Sequence, residues 1–189
     1  MDAYGHLRML VSLIIGLAIT RTLSGLSRRL QEPQNTARAP TQIVWSLALL
    51  LGVIHFWWWE FSLRLITHWT FWTYIFILSY ASLFFLMSTL LYPDHISDHA
   101  EREEYFIRRR IAFFALFALS FAFDIGDTMI KGKEHFASLG EWYLVRTGVG
   151  VTIALVAMRS KNTRILMLLG LGWLACNAIW ITMLYSELM

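Results

Sequence analysis

The stretch RRRIAFFALFALSFAFDIGDTMIKGK, Arg108 to Lys133, decides what kind of fold this chain can have. Its central twenty residues, Ile111–Ile130, carry no charge except Asp124 and Asp127. A helix of that length rises about 30 Å, the thickness of the hydrocarbon core of a bilayer. Three arginines precede it and two lysines follow, so its ends are marked by groups that belong in water or among lipid headgroups. It reads as a transmembrane helix with two carboxylates inside.

Working outward, five more stretches have the same character: Leu7–Leu26, Ile43–Ser62, Trp69–Leu91, Trp142–Ala157 and Ile165–Leu184. The fifth span in chain order, Trp142–Ala157, is interrupted by Arg146. No two-residue alternation runs through these segments, so β-barrel strands are not a competing reading. The expectation is a single all-α, polytopic transmembrane bundle of about six helices over residues 1–189, with short loops. The first apolar run is helix-length and ends at Arg28-Arg29, which reads as a span rather than a cleavable signal peptide. Composition agrees. The chain has 189 residues, 57% of them hydrophobic and only 15% charged, with mean hydropathy +0.53. A water-soluble surface needs nearer a quarter of charged residues. The single cysteine, Cys176, excludes an internal disulfide and any CxxC motif.

Basic residues set the expected orientation. The first, third and fifth connections carry Arg28, Arg29, Arg38, Arg102, Arg108, Arg109, Arg110, Arg159, Lys161 and Arg164, against Arg8, Arg64, Lys131 and Lys133 on the other side. The arginine-rich connections are therefore expected in the cytoplasm and both termini outside. Their division among three short loops is explained by topology, so no nucleic-acid partner is expected. Tryptophans Trp57, Trp58, Trp59, Trp69, Trp72 and Trp142 cluster near the outer helix ends, at the headgroup level that indole favours. At least one ring of the Trp57–Trp59 run must face lipid, and the others are expected on the third span. The segment 93–110 reads as a short cytoplasmic amphipathic helix that begins at Pro93 and runs into the fourth span. Three spans on either side of it would permit an inverted repeat, although the two halves share no motif.

Polar groups within the membrane are costly, which makes them the first functional candidates. At a rise of 1.5 Å per residue, His55, Asp124 and Asn177 fall roughly 10 Å below the outer boundary and Asp127 and Arg146 at about 6 Å. Glu60 and Glu141 fall near the edge. His55, Asp124, Asp127, Arg146 and Asn177 thus form one expected outer-leaflet layer. Asp124 and Asp127 share a helix face, and Arg146 is their natural partner. Such a layer is either a proton or cation site or a structural ion pair fixing the fourth span to the fifth. Glu60 and Arg64 have the order of a solvated i,i+4 pair, and Arg21 reads as a headgroup anchor.

Ser12, Gly16, Thr20 and Ser24 recur at four-residue spacing, a small-residue row suited to close helix contact. It is expected to face another helix, within the chain or across a dimer. A haem on His55 lacks a second histidine at matching depth, since His6, His68 and His135 lie at the edge. His95 and His99 are a weak zinc pair, with Glu103 too far along the helix to close the site. Neither cofactor is expected.

The runs GLAITRTLSGLSRRL (Gly16–Leu30), FWWWEFSLR (Phe56–Arg64) and LLYPD (Leu90–Asp94) resemble a family of small bacterial membrane proteins of unknown function. The resemblance implies a bacterial inner-membrane location and about six helices, and brings no activity or functional residues with it. Three functions compete on the sequence. The first is a non-catalytic subunit that associates with itself or another membrane protein, and it leads on short loops, the small-residue row, a dense aromatic surface and missing catalytic motifs. A small channel or ion-coupled carrier using the polar layer follows, and a membrane enzyme or haem protein comes last.

Overall fold

The computed structural model describes residues 3–31, 40–66, 68–92 and 101–186. Among these the chain is all helix: α1 (Ala3–Gln31), α2 (Pro40–Trp59), α3 (Phe71–Leu91), α4 (Glu101–Ile130), the short α5 (Lys133–Ser138), α6 (Gly140–Arg159) and α7 (Thr163–Ser186). A 3-10 turn, Glu60–Leu65, extends α2. Six of these helices are long and apolar enough to cross a membrane. Pro40 stands at the first position of α2, where a missing N–H costs nothing. The Thr70 side chain caps α3 by accepting from the Thr73 amide at 3.1 Å. The two chain reversals around α5 fall on Gly132 and Gly140, whose positive φ angles of 110° and 66° only glycine adopts without strain.

Helices α2, α3, α4, α6 and α7 form a ring in the order α2, α3, α4, α6, α7 and back to α2. Helix α1 lies outside it, packed on α3 and α2. Burial agrees with this placement. The apolar window of α2 is 56% buried and that of α1 only 28%, so α2 is the most internal span. Lipid tails are as apolar as leucine, so these contacts rest on close packing rather than on escape from water. Trp45 shows how. Its ring meets Phe113, Phe114 and Phe117 edge-on, at centroid distances of 5.8, 4.7 and 5.5 Å. Its Nε1 donates to the Leu166 carbonyl at 3.0 Å. One side chain of α2 is thereby tied to α4 and α7.

The two ends of the bundle differ. At the upper end, the N-terminal turns of α1 meet the α2–α3 connection, with His6 hydrogen-bonded to Tyr74 at 2.9 Å and Arg8 over the Phe61 ring. Tyr185, near the end of α7, packs on Trp58 there as well. Both described chain ends thus lie at one end of the bundle. At the lower end, Gln42 accepts a hydrogen bond from Arg29 and donates to the Leu91 carbonyl at 3.0 Å. Arg21, read as a headgroup anchor, donates to the Tyr92 carbonyl at 3.3 Å. The Tyr92 hydroxyl accepts from Ser46 at 2.8 Å, while burial, partly offset by that bond and the Arg29 charge, holds this phenol above its ordinary range.

Five of the six expected spans lie inside longer helices, and the third begins at Phe71 rather than Trp69. Ile111–Ile130 is the C-terminal part of a 30-residue helix that begins at Glu101. The start of the expected cytoplasmic helix at Pro93, and the His95–His99 pair, lie outside the described residues.

Candidate functional site

Every helix of the ring contributes to one polar layer in its upper half. Asp124 on α4 accepts from the Tyr80 hydroxyl of α3 at 3.3 Å and pairs with Arg146 of α6 at 3.5 Å. Arg146 Nε donates to Asn177 Oδ1 on α7 at 3.1 Å. The guanidinium also lies over the rings of Trp173 and Trp180, at 5.4 and 6.0 Å. One turn higher, Asp127 accepts from Lys131 Nζ at 2.5 Å and from Trp59 Nε1 of α2 at 3.1 Å. Lys131 reaches on to Glu60 at 3.5 Å and to the Trp59 carbonyl at 3.3 Å. The exposures of the Lys131, Asp127 and Glu60 side chains are 2%, 0% and 6%, so these are desolvated ion pairs rather than surface ones.

The structure thus separates the two carboxylates that the sequence assigned together to Arg146: Asp124 keeps the arginine, and Asp127 takes Lys131. Asp127 and Lys131 are four residues apart on one helix face, a signal that was visible but overlooked because Lys131 was read as an interfacial charge. Tyr80 was missed as well, being one more aromatic in an aromatic span. The expected Glu60–Arg64 pair does not form. Those residues lie in the 3-10 turn, where three residues per turn put i and i+4 on different faces. Glu60 therefore turns inward to Lys131, and Arg64 is exposed.

Beneath Asp124, Arg146 and Asn177 the ring encloses a cavity of about 50 Å³. At 10–15 Å³ each it has room for roughly four waters. His55 lines its upper wall, with its ring 5.9 Å from Trp59 and 6.1 Å from Tyr185. His55 Nε2 and Asp124 Oδ2 are buried without a hydrogen-bond partner among the described residues. The lower wall is aromatic: Trp45, Phe113, Phe117 and Trp173 close it toward the arginine-rich end. The cavity therefore has a polar roof and an apolar floor.

The other sequence candidates fall elsewhere. Ser12, Gly16, Thr20 and Ser24 are all exposed, on the face of α1 turned away from the bundle. The buried face of α1 is instead Leu7, Val11, Ile15, Ala18 and Thr22. Of the outer tryptophans, Trp58, Trp72 and Trp142 are exposed and Trp57 and Trp69 half-buried. Trp59 is buried, and it packs with Leu139, Tyr143 and Trp180 rather than on the third span, correcting that expectation for this ring. Among the described residues no group of three or more His, Cys, Asp or Glu is placed to hold a metal. No protein-family model, curated protein or solved structure matches the chain.

Proposed function

We propose that this multi-pass membrane protein is a small proton- or cation-coupled carrier of a bacterial inner membrane, with the polar layer in its outer half. The reading is carried by one observation: a chamber at the centre of the helix ring roofed by the Asp124–Arg146 pair, one turn below the desolvated Asp127–Lys131–Glu60 group. Glu60, Asp124 and Asp127 face Lys131 and Arg146, so the formal sum is one negative charge in excess. A proton or a monovalent cation balances that charge, and a low-dielectric site strongly favours balance. The aromatic floor fits a carrier that opens to one side at a time better than it fits a continuous pore. In this scheme Asp124 holds the exchangeable charge at the chamber, Arg146 and Asn177 position it, and His55 meets whatever enters from above.

The test is flux in proteoliposomes under an imposed potential, read with a pH-sensitive dye and, in parallel, with monovalent cation uptake. Asp124→Asn and Asp127→Asn should reconstitute with unchanged particle size and lose flux to the level of empty vesicles. Wild-type protein no faster than empty vesicles, or variants as fast as wild type, would refute coupling through this layer.

A second reading, association with itself or another membrane subunit, is favoured by the exposed Ser12, Gly16, Thr20 and Ser24 row. No Cβ at Gly16 would meet any neighbour within the chain, so the row is open to a partner helix. If it serves one, Gly16→Leu should shrink the detergent-solubilised complex while leaving the monomer's melting temperature unchanged. An unaltered complex size would remove the row from consideration.

A further inference from the structure

Above the polar layer, at the end of the bundle that holds both described chain ends, lies a second cavity of about 460 Å³. That volume falls within the range of small-molecule sites, whereas the central chamber is an order of magnitude smaller. Trp59 lines both and separates them. The walls are largely apolar: Trp58, Phe61, Leu139 and Leu184. Trp58 stands 5.6 Å from Phe61 and 5.9 Å from Tyr185, and is itself 57% exposed. The cavity is thus an aromatic slot with one open edge.

Of its polar lining, Ser62 and Ser138 donate to the backbone carbonyls of Trp59 and His135 at 2.7 Å each. His135 Nε2 and Tyr185 Oη are buried and have no hydrogen-bond partner among the described residues. Leaving two such groups unpaired is unfavourable unless something else meets them. Arg64 lines the same cavity and is exposed, and the carboxylate nearest in sequence, Glu60, is engaged by Lys131. Burial, and after it the nearby Lys131 ammonium, hold the His135 imidazole below the usual histidine range, so it offers hydrogen bonding rather than charge at neutral pH. Arg64, Tyr185 and His135 thus line one largely apolar slot at this end of the bundle.

We propose that this cavity binds an anionic amphiphile, its phosphate or carboxylate head held by Arg64 and Tyr185 and its apolar chain laid along Trp58, Phe61 and Leu184. A guanidinium provides the paired donors that such oxyanions accept. The tryptophan edge gives the chain a lateral way in from the outer leaflet. The site uses neither Asp124 nor Arg146, so it stands or falls independently of the carrier reading.

The experiment is native mass spectrometry of the full chain in mild detergent, titrated separately with phosphatidylglycerol, phosphatidylcholine and myristate. The expected result is adducts with phosphatidylglycerol, myristate or both, and weaker ones with phosphatidylcholine. These adducts should weaken at least about fivefold in Arg64→Gln and in Ser138→Trp, which fills the slot from an exposed position. Arg28→Gln, at the opposite end of the bundle, should leave them unchanged. Stronger binding of phosphatidylglycerol assigns a bilayer lipid as the source, and stronger binding of myristate a free fatty acid. Adducts insensitive to Arg64→Gln, or phosphatidylcholine binding as tightly as the anions, would overturn the proposal.

Discussion

Replacing Lys131 with methionine tests the energetics of the polar layer most directly. The ammonium is 2% exposed and touches Asp127 at 2.5 Å and Glu60 at 3.5 Å. Methionine keeps most of the stem and removes only the charge, leaving two carboxylates facing each other in a desolvated site. Breaking a buried ion pair from one side costs about 3–5 kcal/mol, because the remaining charge is stranded. For a chain of this length that corresponds to a fall of about 10 °C in melting temperature. The companion variant removes all three charges together, as Lys131→Met with Asp127→Asn and Glu60→Gln. It should recover most of the loss, since neutral groups of similar shape no longer need a counter-charge. Both are measured by thermal unfolding in one detergent, followed by circular dichroism. A single Lys131→Met variant within about 2 °C of wild type, or a triple variant no more stable than the single one, would refute the view that these three groups form a desolvated network.

Two further outcomes follow from particular contacts. A Cβ on Gly150 would overlap the Phe121 ring at the α4–α6 contact, so Gly150→Leu should cost about 1–3 kcal/mol or more through overpacking, read as a lower melting temperature. His135 binds its proton less readily when folded than when unfolded. Its contribution to stability is therefore present at neutral pH and lost as pH falls through the ordinary value of 6.5. Melting temperatures should drop between about pH 7 and pH 5 by less in His135→Gln than in wild type, and equal slopes would contradict the placement of the ring.

The six spans were legible because each is a long apolar run, and hydropathy needs no tertiary information. Depth along a helix was also legible, which is why His55, Asp124, Asp127, Arg146 and Asn177 could be assigned to one layer before any contact was known. Partner choice was not. Whether Arg146 meets Asp124 or Asp127 depends on the rotation of α6 against α4, which the sequence leaves open. Glu60 turned inward because its segment tightened into a 3-10 turn, a local change of pitch with no clear sequence mark. Helix α1 offered two stripes, the small row and the larger Leu7, Val11, Ile15 and Ala18 row. The larger one fills the groove beside α3, where dispersion contacts gain most.

Closure of the ring between α2 and α7 has a consequence for how the molecule is made. The hydrogen bonds that seal it, Thr41 to the Thr163 carbonyl and Trp45 to the Leu166 carbonyl, join residues 122 and 121 positions apart. A nascent chain delivers α7 to the bilayer after the other four helices of the ring. Until then α2 has lipid where its final neighbour belongs, and Arg146 waits without the amide that steadies it. Insertion of the sixth span is thus the step that separates the central cavity from the hydrocarbon around it.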